Sequence, residues 1–282
     1  MSSLNKLLKD IENAPEGLSG TSEMVQESSK DSTKLFPSLM IKQKFNNMFL
    51  HMRDDRNLEE VRAGLHASAI IGPESDFCYR EQVLSLVYEM SQGKELPVNA
   101  LKIFAAGTSI HEKWQNMFAA CSGNIKGFKL IRAEARSFSE KWNLFFTPDS
   151  IIEIDGIKYI VEIKSMNTFS YKHAAVSTNP HPHARHQIQL YMHLTGIHQG
   201  LILIEDKNTQ DFEVFKIDYN YKEVLPYLDR LIEINEQYKS FIEEGIQPLG
   251  ICKKENCKRA ESCNMRFACF HQEEAKKLDY ES

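Results

Sequence analysis

The stretch TPDSIIEIDGIKYIVEIKS, residues 147–165, consists of two apolar runs separated by Asp155 and Gly156. Asp-Gly is a dipeptide that favours two-residue hairpin turns, so the stretch predicts a β-hairpin. With that turn, Ile154 lies opposite Ile157, and the pairing of the other residues along the two strands follows from this register.

Three charged residues interrupt the apolar pattern at the end of the hairpin away from the turn. The predicted register places Asp149 directly across from Glu162, with Cβ atoms about 5 Å apart, and Lys164 on the same face as Glu162. Two carboxylates this close do not both ionise unless a cation lies between them, and oxygen ligands favour Mg²⁺ or Mn²⁺. A solvated patch of charges at a sheet edge is the alternative. Apolar residues on both faces of the hairpin favour a buried site.

The composition limits the class of protein. The chain has 282 residues and a formal net charge of −5, which argues against coating nucleic acid through overall charge, although a local basic groove would suffice for an enzyme. No apolar run approaches the length of about 20 residues that spans a membrane. The first residues also lack the apolar core of a secretory signal. We therefore expect an intracellular, cytoplasmic protein.

The pattern along the chain predicts four regions. They are a disordered arm (1–34), a helical N-terminal region (35–95) with helices over 36–66 and 81–90, an α/β core (96–247), and a cysteine-rich, metal-binding segment (248–282). Apolar periodicity in the core predicts helices over 98–121, 183–194 and 222–244, with strands within 128–138, 144–154, 158–164, 200–206 and 212–218. This order is typical of an α/β fold with a mixed central sheet flanked by helices.

The charged end of the hairpin lies within a larger set of motifs. Pro148-Asp149, followed by Glu162-Ile163-Lys164, resembles the signature of the PD-(D/E)xK nuclease superfamily. Upstream, GTSIHEKWQ resembles the Gly-x-x-x-His motif of RecB-type nucleases, and downstream QIQLY resembles their Gln-x-x-x-Tyr motif. The corresponding residues are Gly107, His111, Gln187 and Tyr191. The resemblance covers residues 107–191 and implies a restriction-endonuclease-like core.

The resemblance also implies roles for these residues in hydrolysing DNA. The implied ligands of Mg²⁺ or Mn²⁺ are His111, Asp149, Glu162 and the carbonyl of Ile163. Lys164 would position or activate the attacking water, and Gln187 and Tyr191 would hold the substrate strand and the lysine. Glu134, which we place in the strand before the hairpin, matches a carboxylate often present in the superfamily; an ordinary strand-edge charge is the alternative.

Five cysteines bear on a second metal site. Four of them, Cys252, Cys257, Cys263 and Cys269, fall within eighteen residues, and Cys78 lies far upstream. Four local thiolates would suit Zn²⁺, whereas three of them with Cys78 would suit a 4Fe–4S cluster. The second arrangement resembles CRISPR-associated RecB-like exonucleases and the AddB nuclease domain, in which the last three cysteines follow C-x2-C-x5-C. The x5 gap is matched here but the preceding gap is four residues, so the identity of the four ligands stays open.

Two further segments carry charge beside these motifs. His181, His183, Arg185 and His186 in NPHPHARHQ predict a solvated or phosphate-contacting loop, and Lys207 lies in a predicted turn. Taken together, the sequence predicts a divalent-metal-dependent deoxyribonuclease, an exonuclease acting on DNA ends or single strands. Recombination, repair and CRISPR adaptation all fit, with partner proteins or an oligomer. The alternatives are a catalytically silent DNA-binding subunit of a larger complex and a restriction-like endonuclease.

Overall fold

The structure is a computed structural model and describes residues 41–48, 50, 64–88, 97–134, 136–179 and 181–279. The chain divides into two compact units, Met1–Asn47 and Met48–Ser282. In the first unit the described residues, 41–47, are helical. The predicted arm over 1–34 and most of the helix predicted over 36–66 lie outside the described residues. All elements named below belong to the second unit.

The strands and helices of the second unit are as follows. The strands are β1 (Leu65–His66), β2 (Phe128–Ala133), β3 (Ser137–Ser139), β4 (Leu144–Phe146), β5 (Ser150–Ile154), β6 (Ile157–Met166), β7 (Gln199–Asp206) and β8 (Phe212–Asp218). The helices are α1 (Ala67–Ile70), α2 (Tyr79–Val87), α3 (Val98–Cys121), α4 (Thr168–Ala175), α5 (Pro182–Thr195), α6 (Tyr221–Glu244), α7 (Lys258–Glu261), α8 (Arg266–Phe270) and α9 (Gln272–Asp279).

The predicted hairpin lies within a five-stranded sheet of order β2-β5-β6-β7-β8. Its register is confirmed, because Ile154 pairs with Ile157 and Ser150 pairs with Val161. Neighbouring strands are antiparallel except β6 and β7, which are parallel and joined through α4 and α5. The predicted mixed central sheet is therefore confirmed.

A second sheet of order β1-β4-β3 was not predicted. The stretch 144–154, predicted as one strand, is divided between the two sheets, with β4 in the small one and β5 in the large one. Pro148 lies in the gap, where its missing N–H costs no ladder hydrogen bond. Residues 65–66 form β1 and pair with β4, so the prediction of helix there was wrong.

Helices cover both faces of the large sheet. On one face, Trp114 of α3 packs with apolar residues of the hairpin, including Ile152, Val161 and Ile163. On the other face, α5 packs against β6 and β7, with Ile188 at the contact, and α6 packs against α5. The C-terminal helices α8 and α9 pack on α2 in a separate cluster. Along the described ranges, no helix is both long and apolar enough to cross a membrane.

Candidate active site

Asp149 lies in the link between β4 and β5 and is held through its backbone and its side chain. Its carbonyl accepts hydrogen bonds from Gln115 Nε2 at 3.0 Å, from Ser150 Oγ at 2.7 Å and from the Glu134 N–H at 3.0 Å. Its Oδ2 accepts the Ile163 N–H at 2.7 Å. These four hydrogen bonds fix the position of Asp149. Its carboxylate lies beside β6, next to Glu162.

Glu162 is buried, with 1% of its surface exposed. Lys164 Nζ donates to its Oε1 at 2.5 Å, whereas its Oε2 has no hydrogen-bond partner within the described residues. Burial, together with the nearby Asp149 carboxylate, raises the pKa of Glu162 to about 8. A buried carboxylate oxygen without a partner is costly, so this atom indicates a place for a cation.

Lys164 adds a positive charge to the same place. Burial alone lowers the pKa of its ammonium group, but the Glu162 carboxylate and its hydrogen bond outweigh burial, so the pKa of Lys164 is raised overall. The side chain remains 24% exposed. Lys164 is therefore a charged donor that is held by Glu162 and still open to solvent.

His111 reaches the site from α3. Its Nδ1 lies 3.3 Å from Asp149 Oδ1. Burial lowers the pKa of His111, but the hydrogen bond to Asp149 and the charge of that carboxylate together outweigh burial, so the pKa of His111 is raised. One turn before it, a Cβ added at Gly107 would lie 4.0 Å from Ser165 Oγ, and one turn after it Gln115 binds Asp149. Gly107, His111 and Gln115 therefore lie on the side of α3 that faces the end of the hairpin.

Glu134 has a different position from the one predicted. It follows β2 instead of lying within it, in a left-handed conformation with φ of 46°. Its Oε1 accepts from Gln115 Nε2 at 3.1 Å, and its N–H bonds to the Asp149 carbonyl. The residue contributes to the shell that fixes Asp149.

Gln187 and Tyr191 lie one turn apart on α5. Gln187 Nε2 donates to Tyr191 Oη at 2.8 Å, and Tyr191 is 3% exposed. Burial, and next the charge of Glu162, raise the pKa of Tyr191. The hydroxyl is thus a neutral group close to Glu162, on the side of the sheet that α5 covers.

The histidine segment begins α5 and does not form a loop. His181 Nδ1 accepts the Ala184 N–H at 3.0 Å as the helix cap. Burial, and next the charge of Lys164, lower the pKa of both His181 and His183. Arg185 forms two hydrogen bonds of 2.8 Å with Glu223 of α6. The arginine predicted to face solvent or phosphate is therefore bound within the protein.

Glu205 is a site-supporting residue that the sequence analysis missed. It is 1% exposed at the end of β7, where it pairs with Ser165 of β6. Its carboxylate accepts from Trp114 Nε1 and from Lys113 Nζ, both at 2.6 Å. A signal was available, since a buried indole N–H needs an acceptor and the apolar strand ends in Glu205-Asp206.

Cysteines that are far apart in the sequence lie together in the fold. Four of them line one small cavity beside Glu81 and Arg259; they are Cys78, Cys252, Cys263 and Cys269. The fifth, Cys257, caps α7, where its Sγ accepts the Ala260 N–H at 3.4 Å. All six cysteines of the chain are free thiols. Burial raises the pKa of Cys263 to about 12 and that of Cys252 to about 11.

Neither the hairpin site nor the cysteine cavity forms a complete metal cage. Across the ranges that the structure describes, no three His, Cys, Asp or Glu side chains are already arranged to hold a metal ion. At the hairpin, Lys164 and His111 bind the two carboxylates that were predicted to share the ion. Metal binding at either place therefore stays a prediction.

Comparison with known proteins gives matches among solved structures. No family model and no curated protein matches the chain. The chain is similar to the alkaline exonuclease LHK-Exo from Laribacter hongkongensis, with a TM-score of 0.46, 14% identity and coverage of 64% of this chain and 90% of that one. LHK-Exo in complex with dAMP gives a TM-score of 0.45, 13% identity and the same coverage. The protein SSO0001 gives a TM-score of 0.39 and 14% identity, with coverage of 72% of this chain and 86% of that one.

Proposed function

We propose that this chain is a divalent-metal-dependent deoxyribonuclease that hydrolyses phosphodiester bonds as an exonuclease on DNA ends or single strands. The observation that carries the proposal is the buried Glu162 carboxylate, whose Oε2 lacks a partner within the described residues while Asp149 and Lys164 lie beside it. Burying two carboxylates next to each other destabilises a fold, so their presence favours a function that needs them.

The donor set at this place fits a hard cation. Carboxylate and carbonyl oxygens are ligands that Mg²⁺ and Mn²⁺ prefer. Asp149, Glu162 and the Ile163 carbonyl would hold the ion, with His111 as a further ligand. When bound, such an ion stabilises negative charge on phosphoryl oxygens and lowers the pKa of water.

The protein's own groups would supply the remaining chemistry. Lys164, held by Glu162 and open to solvent, would orient the attacking water. The water oxygen bonds to phosphorus and gives up a proton to solvent as the bond to the leaving sugar oxygen breaks, and the leaving oxygen takes up a proton from solvent. Tyr191 and Gln187 would donate hydrogen bonds to the scissile phosphate or to its neighbour.

The cysteine cavity would hold a 4Fe–4S cluster, with Zn²⁺ as the alternative. Thiolates are the ligands that both prefer, and the four that line the cavity are Cys78, Cys252, Cys263 and Cys269. Arg80 Nη1 lies 3.8 Å from Cys269 Sγ and would offset thiolate charge. The role would be structural, since such a centre ties α2 to the C-terminal segment.

An absorbance spectrum and metal analysis after anaerobic purification test the cysteine proposal. We expect Cys263→Ser to lose the bound metal and Cys257→Ser, the matched control, to keep it. A colourless protein with stoichiometric zinc would exclude the cluster, and metal loss in Cys257→Ser alone would exclude this set of ligands.

Cleavage of end-labelled single- and double-stranded DNA, with and without Mg²⁺ or Mn²⁺, tests the nuclease proposal. We expect metal-dependent cleavage that Asp149→Ala and Lys164→Ala abolish. Glu153→Ala and Lys158→Ala are matched controls, because these two residues pair across the same hairpin near its turn. DNA binding without cleavage would favour the silent subunit, and cleavage of a closed circular strand would favour an endonuclease.

A further inference from the structure

Helix α4 follows directly from the strand that carries the candidate catalytic residues. It begins at Thr168, two residues after β6 ends, and Asn167 Oδ1 caps it by accepting the Ser170 N–H at 2.9 Å. Thr168 Oγ1 donates to the buried Asp206 Oδ1 at 3.1 Å and accepts from Asn208 Nδ2 at 2.9 Å. These bonds fix the start of α4 against the end of β7, so the helix is a rigid extension of the sheet.

The inner face of α4 is packed and its outer face is open. Ala174 is 5% exposed, and Tyr171 packs against the main core. The residues on the outer side, which we call the α4 stripe, are Phe169, Lys172, His173 and Val176. They follow the i, i+3, i+4, i+7 spacing of one helix face.

The α4 stripe exposes more apolar surface than a solvated helix face needs. Phe169 is 74% exposed and Val176 is 85% exposed. The rings of Phe169 and His173 lie 4.6 Å apart at their centroids in an edge-to-face arrangement. Both rings are open to solvent, so another flat group can stack on either of them.

Three carboxylates, those of Asp206, Asp211 and Glu213, act on Tyr171 of the inner side of α4, whereas the charge within the α4 stripe is positive. Lys172 is exposed within it, and α4 contains no carboxylate. Lys207, also exposed, lies at the base of the helix, where its backbone N–H bonds to the Met166 carbonyl at 2.9 Å. Lys164 lies five residues before Phe169 along the chain. The α4 stripe therefore follows the hairpin site closely along the chain.

We propose that the α4 stripe binds single-stranded nucleic acid, with Phe169 and His173 stacking on bases and Lys172 and Lys207 contacting phosphates. Single strands offer free base faces, which stack on exposed aromatic rings, whereas the bases of a duplex are already stacked on each other. The proposal rests on the proposed nuclease function, for which it specifies the form of the substrate.

Fluorescence polarisation of the full chain in EDTA tests this surface without cleavage. The probes are a labelled oligo(dT) of about 20 nucleotides, a length above the site of one binding module, and a blunt duplex of equal length. We expect Phe169→Ala to weaken oligo(dT) binding by about 5- to 150-fold and duplex binding by less than about twofold. Phe169→Trp should retain the affinity, and Ile232→Ala, which alters an exposed side chain of α6, should not change it.

A second variant tests the phosphate contacts independently of the aromatic ring. Lys172→Ala should reduce the slope of log affinity against log salt by about 0.7, the value for one phosphate contact on a single strand. An unchanged oligo(dT) affinity in Phe169→Ala would overturn the proposal. An equal loss on the duplex, or a change in sedimentation of the free protein in place of a change in DNA binding, would also overturn it.

The two proposals fail in distinguishable ways. If oligo(dT) binding depends on Phe169 but no metal-dependent cleavage is found, the nuclease proposal is wrong and the proposal for the α4 stripe stands. If metal-dependent cleavage is found but oligo(dT) binding does not depend on Phe169, the proposal for the α4 stripe is wrong and the nuclease proposal stands.

Discussion

The two ends of the β5–β6 hairpin carry the same kinds of side chain in different surroundings. Near the turn, Glu153 pairs across the strands with Lys158, which is exposed. At the open end, Asp149 lies beside Glu162, which is buried and holds Lys164. Residue type alone therefore does not distinguish a solvated pair from a candidate active site. The two ends differ in burial and in the Glu162 oxygen that has no partner within the described residues.

The largest expected effect comes from neutralising the open end. Asp149→Asn should lower the rate of metal-dependent DNA cleavage by about a thousandfold or more, because it removes charge that would hold the ion stabilising the phosphoryl group. Glu153→Gln, the matched change near the turn, should alter the rate by less than about twofold. Initial rates on end-labelled DNA measure both. Equal losses in the two variants would remove the distinction between the ends.

Replacing Glu by Gln should change the stability of the metal-free protein in opposite directions at two buried carboxylates. Glu162→Gln should stabilise the metal-free protein by about 1–3 kcal/mol, because it removes a buried charge that lies beside the Asp149 carboxylate. Glu205→Gln should destabilise it by about 1–3 kcal/mol, because both oxygens of Glu205 accept hydrogen bonds.

Thermal unfolding in EDTA measures this contrast, at about 2–4 °C per kcal/mol for a protein of this size. Added Mn²⁺ should stabilise the wild type and Glu205→Gln, but not Glu162→Gln. Destabilisation by Glu162→Gln in EDTA would mean that its carboxylate is already satisfied without a metal.

The smallest expected effect concerns the Arg185–Glu223 pair, which joins α5 to α6. The hydrogen bonds from Arg185 lower the pKa of Glu223 in the folded protein. The pair therefore stabilises the fold at pH values above the ordinary glutamate pKa, and this contribution disappears as the pH falls through the lowered value. Because both side chains are about a quarter exposed, we expect about 1 kcal/mol or less.

Unfolding midpoints between pH 7 and pH 3 measure the effect. Glu223→Gln should lose stability at pH 7 and should differ less from the wild type at pH 3. A constant difference across this range would show that the pair does not contribute through its charge.

Local signals in the sequence were sufficient for the hairpin. The Asp-Gly turn determines the register, so the juxtaposition of Asp149 and Glu162 followed from counting residues. Gly107, His111 and Gln115 are four residues apart in the sequence, a spacing that puts them on one side of a helix, and their contacts lie at the same end of the hairpin. These predictions needed only residues that are neighbours within one pair of strands or within one helix.

Features that depend on long-range packing were not predictable. The bond from Trp114 to Glu205 joins residues 91 positions apart, and neither residue has a motif that points to the other. The division of 144–154 between two sheets depends on β1, which contains only two residues. For the cysteines, the sequence left two groupings open, and packing of α2 on the C-terminal helices brings Cys78 together with Cys252, Cys263 and Cys269.

Binding of Mn²⁺ followed by electron paramagnetic resonance tests the central claim most directly, because free and bound Mn²⁺ give different signals. We predict that the wild type and Glu153→Gln bind the ion and that Asp149→Asn and Glu162→Gln lose this binding. Absence of Mn²⁺ binding to the wild type, or unchanged binding in the Asp149 and Glu162 variants, would contradict the assignment of the open end of the hairpin as a metal site.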